Sequence, residues 1–377
     1  MGMQPKLRFK GFTDDWEKRK LENFTKSYSG GTPSISRSDY YGGEIPFIRS
    51  AEINSDSTDL YLTEIGLKNS SAKMVQYGDI LYALYGATSG EVGIARIHGA
   101  INQAILAIKP TDGDDSQFIM QWLRKQKGHI INTYLQGGQG NLSGSIVKSL
   151  EVRTPVNKNE EFKIGSLLKK IDNLITVNQR KVDLLKRKKA GYLQKLFPKN
   201  GQNNPELRFK GYTDAWEKRK LNEIAKFNPK STLPDVFEYV DLESVVGTKM
   251  INHRTETKTN APSRAQRVAK FGDVFYQTVR PYQKNNYLFK INGVKYVFST
   301  GYAQLRPKYS SEFLLARIQE NMFVRKVLDR STGTSYPAIN SNDLAKIEIT
   351  IPNSAEQENI GMLFLTLDNL IAVNQDK

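Results

Sequence analysis

Apolar residues recur along this chain with two different periods, and each period points to one kind of element. Between Asn157 and Pro198, residues Ile164, Ile171, Asn178, Leu185 and Tyr192 return every seventh position, interleaved with Leu168, Ile175, Val182 and Leu196. That spacing keeps one helix face apolar and predicts a coiled-coil seam that Pro198 ends. About 35 residues at roughly 1.5 Å each would reach on the order of 50 Å, a length suited to a spacer. By contrast, Asp79-Ile-Leu-Tyr-Ala-Leu84, Ile101 to Ile108, Asp273 to Thr278 and Tyr296 to Thr300 are short β-branched and aromatic stretches punctuated by Gly, Asn and Pro, which predicts strands. Asn157-Lys-Asn-Glu160 and Ser354-Ala-Glu-Gln357 each stand before an apolar-periodic run, where a capping box predicts a helix start.

These patterns occur twice in the same order. Pro5-Lys-Leu-Arg-Phe-Lys-Gly-Phe-Thr-Asp-Asp-Trp-Glu-Lys-Arg-Lys-Leu21 returns as Pro205-Glu-Leu-Arg-Phe-Lys-Gly-Tyr-Thr-Asp-Ala-Trp-Glu-Lys-Arg-Lys-Leu221. Tyr77-Gly-Asp-Ile-Leu-Tyr82 is echoed by Phe271-Gly-Asp-Val-Phe-Tyr276, and Leu150-Glu-Val-Arg-Thr-Pro155 by Ile347-Glu-Ile-Thr-Ile-Pro352. Ile164-Gly165 and Ile171-Asp-Asn-Leu-Ile-Thr-Val-Asn-Gln179 return as Ile360-Gly361 and Leu367-Asp-Asn-Leu-Ile-Ala-Val-Asn-Gln375. A period of nearly 200 residues is a duplicated domain, since solenoid repeats run about 20–50 residues. We expect an α+β protein: a first domain over 1–155, a long spacer helix and linker over 156–200, a second domain over 201–352, and a second spacer helix over 353–377. The predicted seam of the second helix is Leu367, Leu370, Ile371 and Asn374, with Asn178 and Asn374 as polar residues that set register. This second helix reaches Lys377 without a cap and is shorter than the first, so it reads as truncated.

Composition narrows the chemistry. Without cysteine, disulfide scaffolds, thiolate metal sites and cysteine nucleophiles are excluded, and a reducing, cytoplasmic setting is expected. No apolar run approaches the roughly 20 residues that span a bilayer, and Met1-Gly2-Met3-Gln4-Pro5-Lys6 carries neither a signal-peptide core nor a myristoylation Ser/Thr. A net charge of +16 argues for a polyanionic partner, nucleic acid first, because binding phosphates releases condensed counterions. His98, His129 and His253 stand apart from one another and from carboxylate clusters, Asp112-Gly-Asp-Asp115 reads as a turn, and Gln136-Gly-Gly-Gln-Gly-Asn-Leu142 lacks the Lys-Ser/Thr of a phosphate loop. Asp235 with Glu256 and Lys258 is the one enzyme-like constellation, a set that a Mg²⁺-dependent nuclease could use, but the first half has no equivalent. The catalytic Asp/Asn-Pro-Pro-aromatic tetrapeptide of an amino-methyltransferase is absent.

Recognition remains, and the places where the halves differ are the places to look. After each Gly-Asp strand comes a polar loop: Tyr85, Gly86, Ala87, Thr88 and Ser89 in one half, and Gln277, Thr278, Arg280, Tyr282, Gln283, Lys284 and Asn285 in the other. Arg, Gln, Asn, Ser and Thr read base edges, while Gly lets backbone approach phosphate. Arg49 and Ser50, and Arg264 and Arg267, could serve likewise. Arg180, Lys181, Lys186, Arg187, Lys188, Lys189, Lys195 and Lys199 make the spacer basic, either for phosphate contact or as a solvated face. A stand-alone repressor would also fit these features.

Gly30-Gly-Thr-Pro33, Tyr40-Tyr-Gly-Gly-Glu-Ile-Pro46, Gly78-Asp-Ile-Leu81 and Gly272-Asp-Val-Phe275, together with the paired Ile/Leu-Asp-Asn-Leu-Ile helices, closely resemble the specificity subunits of type I restriction-modification systems. The resemblance covers essentially the whole chain. It implies two tandem α/β target-recognition domains in a pseudo-two-fold repeat, each reading half of a split double-stranded DNA sequence, with an antiparallel coiled coil of long helices between them as a ruler. It also implies a non-catalytic subunit that binds no cofactor itself. Two adenine methyltransferase subunits using S-adenosylmethionine and two restriction/translocase subunits using ATP and Mg²⁺ would supply the chemistry.

Overall fold

The computed structural model describes residues 5–111, 113–135, 141–199 and 201–375. Met1-Gly2-Met3-Gln4, Asp112, most of the Gly-rich 136–142 stretch, Asn200, Asp376 and Lys377 therefore lie outside the described residues. The chain divides into two compact units, Met1–Thr176 and Val177–Lys377.

The strands of the first unit are β1 (Glu17–Lys20), β2 (Thr25–Ser29), β3 (Tyr41–Ile48), β4 (Tyr61–Leu62), β5 (Lys73–Val75), β6 (Ile80–Ala83), β7 (Val92–Ile94), β8 (Gly99–Ile101), β9 (Ile105–Pro110) and β10 (Glu151–Thr154). Its helices are α1 (Glu64–Lys68), α2 (Ser116–Tyr134), α3 (Gly144–Ser149) and the first half of α4 (Lys158–Lys195). Two four-stranded sheets form, ordered β2-β9-β6-β7 and β4-β3-β8-β5, and β1 pairs separately with β10. Central strand β6 is buried on both faces because its period of two sends Ile80 and Tyr82 toward the α2 core and Leu81 and Ala83 toward the second sheet. The stretch from Ile101 to Ile108 is two strands rather than one. Asn102 breaks it, its Oδ1 accepting the Ala104 N–H at 3.0 Å in a local turn.

The second unit repeats this plan. Its strands are β11 (Glu217–Lys220), β12 (Ala225–Phe227), β13 (Val236–Val240), β14 (Val245–Val246), β15 (Lys249–Met250), β16 (Arg254–Thr257), β17 (Ala265–Val268), β18 (Val274–Gln277), β19 (Tyr287–Leu288), β20 (Tyr296–Ser299), β21 (Tyr302–Pro307) and β22 (Glu348–Ile351). Its helices are α5 (Leu221–Ile224), α6 (Ser311–Ile318), α7 (Asn321–Leu328), α8 (Ser341–Ala345) and α9 (Ser354–Gln375), with the second half of α4. Sheet orders β12-β21-β18-β19 and β16-β13-β20-β17 match the first unit strand for strand, and β11 pairs with β22 as β1 does with β10. The short β14-β15 hairpin is added.

Repeated sequence makes repeated contacts. Arg8 grips Glu160 through two parallel hydrogen bonds of 2.6 and 2.8 Å, and Arg208 grips Glu356 through two of 2.8 Å. The Glu160 side chain is thereby drawn away from the capping box that the sequence suggested, and Gln357, the box residue expected for α9, donates its amide to Pro352 O at 2.9 Å instead. Asn353, one residue earlier than expected, caps α9 by accepting the Glu356 N–H at 2.9 Å. Trp16 meets Phe118 edge-on at 5.8 Å, and Trp216 meets Phe313 at 6.0 Å. The duplicated Ile-Gly pairs have one explanation. A Cβ on Gly165 would sit 2.0 Å from the Asp115 carboxylate that caps α2, and one on Gly361 would sit 2.7 Å from the Ser310 hydroxyl that caps α6. Only glycine lets helix and cap approach so closely. The Gly-Asp motif is likewise structural. Gly78 and Gly272 turn with positive φ, while Asp79 and Asp273 accept the N–H of Gln76 and Lys270 and pair with Lys109 and Arg306.

The α4 seam serves both units in turn. Ile164 packs on the first core and Leu168 is half-buried, whereas Ile171 and Ile175 stay exposed. In the second unit Val182 is buried, and Leu185 and Tyr192 pack on the core that contains Phe364 and Leu367. Lys189 meets Asp368 at 2.5 Å, and Phe197, just past the helix end, stacks on Phe364, so this half of α4 runs antiparallel to α9. Ile371 and Asn374 are buried and Leu370 is exposed. Asn178 is half-exposed, and the Asn374 amide donates to Leu370 O of its own helix at 2.6 Å. Among the described residues, no helix is long and apolar enough to cross a membrane.

Candidate nucleic-acid interface

In each unit the polar loop closes the same hairpin, β6 to β7 in the first and β18 to β19 in the second. A later segment of the chain clamps each loop. Tyr85 bridges to Asn141, and Val279 bridges to Ala338. The frame is equivalent and the contents are not.

In the first hairpin Tyr85, Gly86 and Ala87 are exposed and Thr88 is half-exposed, its hydroxyl donating to Tyr85 O at 3.2 Å. Ser89 is buried and donates to Leu84 O at 3.1 Å, so it shapes the loop from beneath. Arg49, on the neighbouring β3 exit, pairs with Glu52 and with Asp59 at 3.2 Å, and Ser50 beside it is half-buried. Burial opposes ionisation of Glu52, but hydrogen bonds from Arg49 and Thr58 hold its carboxyl at about 2. Arg49 therefore presents a largely neutralised charge.

The second hairpin is more elaborate. Gln277 is buried, its amide donating to Val279 O at 2.7 Å and to Gln283 Oε1 at 2.9 Å, and buried Thr278 donates to Gly301 O at 2.8 Å. These two residues point inward and brace the loop. Arg280 and Lys284 both adopt positive φ, +53° and +56°. A left-handed backbone outside glycine costs on the order of 1–3 kcal/mol, strain that surrounding contacts must hold. The Arg280 N–H donates to Pro337 O at 2.8 Å, its guanidinium lies 5.3 Å from the Tyr336 ring, and its Nε has no hydrogen-bond partner among the described residues. Tyr282 and Gln283 are exposed, Lys284 reaches Asn321 Oδ1 at 2.6 Å, and Asn285 accepts the Gly247 N–H at 2.8 Å. Arg264 is exposed, and half-buried Arg267 faces Tyr302 O at 3.5 Å. Desolvation lowers the pKa of both Arg267 and Lys284.

Sequence reasoning missed Tyr336, Asn321 and the buried Asn286, whose Oδ1 accepts the Gln277 N–H at 2.9 Å. The first two come from segments far along the chain and carry no local signal. His253 is not isolated either: its Nδ1 lies 2.7 Å from Glu238, which the Thr255 hydroxyl and His253 together keep below the usual carboxylate range. In the nuclease constellation, Glu256 pairs with Arg254 at 2.8 Å, while Asp235 and Lys258 are joined only by a backbone hydrogen bond. Among the described residues, no group of three or more His, Asp or Glu could hold a metal ion.

A doubled α/β frame that presents unlike hairpin loops defines a paired recognition scaffold. Residues 13–187 and 213–377 each match the type I restriction modification DNA specificity domain, and the chain belongs to that family. The MjaVIII specificity subunit of a Methanocaldococcus jannaschii type I restriction enzyme is 21% identical over 385 residues, covering 96% of this chain and 88% of that one. The MjaIX specificity subunit of the same organism is 27% identical over 238 residues, 58% of this chain and about half (54%) of that subunit. Among solved structures, the type I restriction-modification S subunit from M. genitalium shares the fold, with a TM-score of 0.66 and 17% identity over 99% of this chain and 94% of that one.

Proposed function

We propose that the chain is the DNA-reading subunit of a type I restriction-modification complex, each unit reading one part of a split duplex target. The observation that carries this is the pair of equivalent hairpins with unlike side chains on one repeated frame. A repeated frame suits two copies of the same partner, and unlike loops suit an asymmetric target. The partners are two adenine methyltransferase subunits with S-adenosylmethionine, and two restriction/translocase subunits with ATP and Mg²⁺. The chain itself reads DNA and leaves the chemistry to them.

Sequencing methylated adenines in cells that carry the chain tests this reading. Replacing the 278–286 loop should change only one half of the methylated motif, and a motif unchanged in both halves would refute the assignment. Arg280→Ala should weaken duplex binding by roughly 1–3 kcal/mol and relax one position in that same half, as loss of a base-reading Arg does. Uniform weakening without any change of motif would place Arg280 on phosphate instead.

A further inference from the structure

Apart from the recognition hairpin, the second unit holds a cavity of about 490 Å³. Lys199, Lys218, Arg317, Lys326 and Arg330 line it, with Asp329 and Glu348 the only acids among the described lining residues. Arg317 is the recessed member. Its side chain is 5% exposed, pairs with Glu320 and lies over the Phe197 ring at 5.2 Å, yet its Nε has no hydrogen-bond partner among the described residues. Lys326 donates to Glu348 O at 3.1 Å. Desolvation and the neighbouring charges of Arg317, Lys218 and Arg330 lower its pKa.

Five cations against Asp329, Glu348 and the Glu320 that pairs with Arg317 leave the hollow net positive, and a bound anion relieves the remaining repulsion. A phosphate group fits best, since its several oxygens accept charge-assisted bonds from a guanidinium fork and from lysine ammoniums together. The recessed position of Arg317 favours a small ligand over a duplex backbone, and the volume is that of a small-molecule site. Pro198, Met322 and Phe323 add an apolar wall. Counting from the equivalent Phe118 and Phe313, Trp122 occupies the place of Arg317 in the first unit, so the feature is not duplicated.

We propose that this cavity binds a small phosphate-bearing anion of pyrophosphate to nucleotide size, held by Arg317 at its base and by Lys218 and Lys326 at its mouth. Titration calorimetry of the full chain with inorganic pyrophosphate, in about 0.15 M salt to screen diffuse attraction, should find one saturable site per chain. Lys218→Gln and Lys326→Gln, each checked for folding by circular dichroism, should weaken it at least about tenfold. Lys68→Gln, which removes an exposed charge from the first unit, should leave it unchanged. Absence of saturable binding, or equal loss in the Lys68 variant, overturns the proposal. Displacement of pyrophosphate by a short duplex would assign these cations to the DNA surface and overturn it too.

Discussion

Phe197→Ala is expected to destabilise the second unit by about 3–5 kcal/mol, the usual cost of emptying a large aromatic site in a core that cannot collapse. Phe197 is 1% exposed, stacks on Phe364 at 6.0 Å, and meets Trp216 and Phe313 at 6.2 and 5.8 Å. It thus joins the end of α4, the start of the second repeat, α6 and α9 in one cluster, and none of these can close the gap without moving the others. Amide exchange followed by mass spectrometry should show protection of α9 falling by about 10²–10⁴-fold, as that free energy implies, with the first unit unaffected. Phe197→Leu should recover much of the loss. A change in α9 protection below about tenfold would mean that the cluster is not what secures the helix.

Glu161→Gln should do the opposite in the first unit and raise its stability at neutral and alkaline pH. Glu161 is fully buried and its Oε1 accepts the Asp115 N–H at 2.8 Å. Burial, reinforced by the adjacent Asp114 carboxylate, pushes its pKa up to about 7 despite Lys158 nearby. Asp114 is itself held by Arg19 and Lys158. For a carboxyl raised in the folded state, nothing is lost below the unfolded value near 4.5. Stability then falls as pH climbs from there to about 7, and stays low above it. A shift of this size, with Lys158 already included, is about 3 kcal/mol, and an imperfect fit of the amide in the carboxylate's place brings the expected gain of Glu161→Gln to about 2 kcal/mol at pH 8. At pH 4 the two proteins should melt alike. The second repeat has already made this exchange: Gln357 occupies the equivalent position, buried, with its amide donating to Pro352 O at 2.9 Å. Thermal melts with identical pH dependence in wild type and variant would refute the titration of Glu161.

The duplicated frame was readable in the sequence because it is written twice. Arg8 and Arg208, Trp16 and Trp216, Gly165 and Gly361 recur at nearly constant spacing, and a repeated contact needs a repeated residue. Strands such as β6 and β18 were legible because full burial demands an apolar run. The details that failed depend on partners distant in sequence. Glu160 looks like a capping residue until Arg8, 152 positions away, is seen to hold it. Gln277 and Thr278 look like base readers, yet their side chains turn inward to Gln283 and Gly301, partners that residue type alone does not reveal. Tyr336 could not be placed beside Arg280 from any local pattern. Of the expected heptad, Ile164 packs on the first core and Leu185 and Tyr192 on the second, while Ile171 and Ile175 stay exposed, a change of neighbour along α4 that periodicity alone does not reveal.

Each copy is also fastened at its own ends. β1 zips to β10 while Arg8 clasps Glu160, and β11 zips to β22 while Arg208 clasps Glu356. A protein whose first and last segments are neighbours can be copied head to tail with only a few joining residues and no rerouting of the chain. Gene doubling then leaves one loop free to drift while the other keeps its meaning, so two vocabularies can arise from a single grammar.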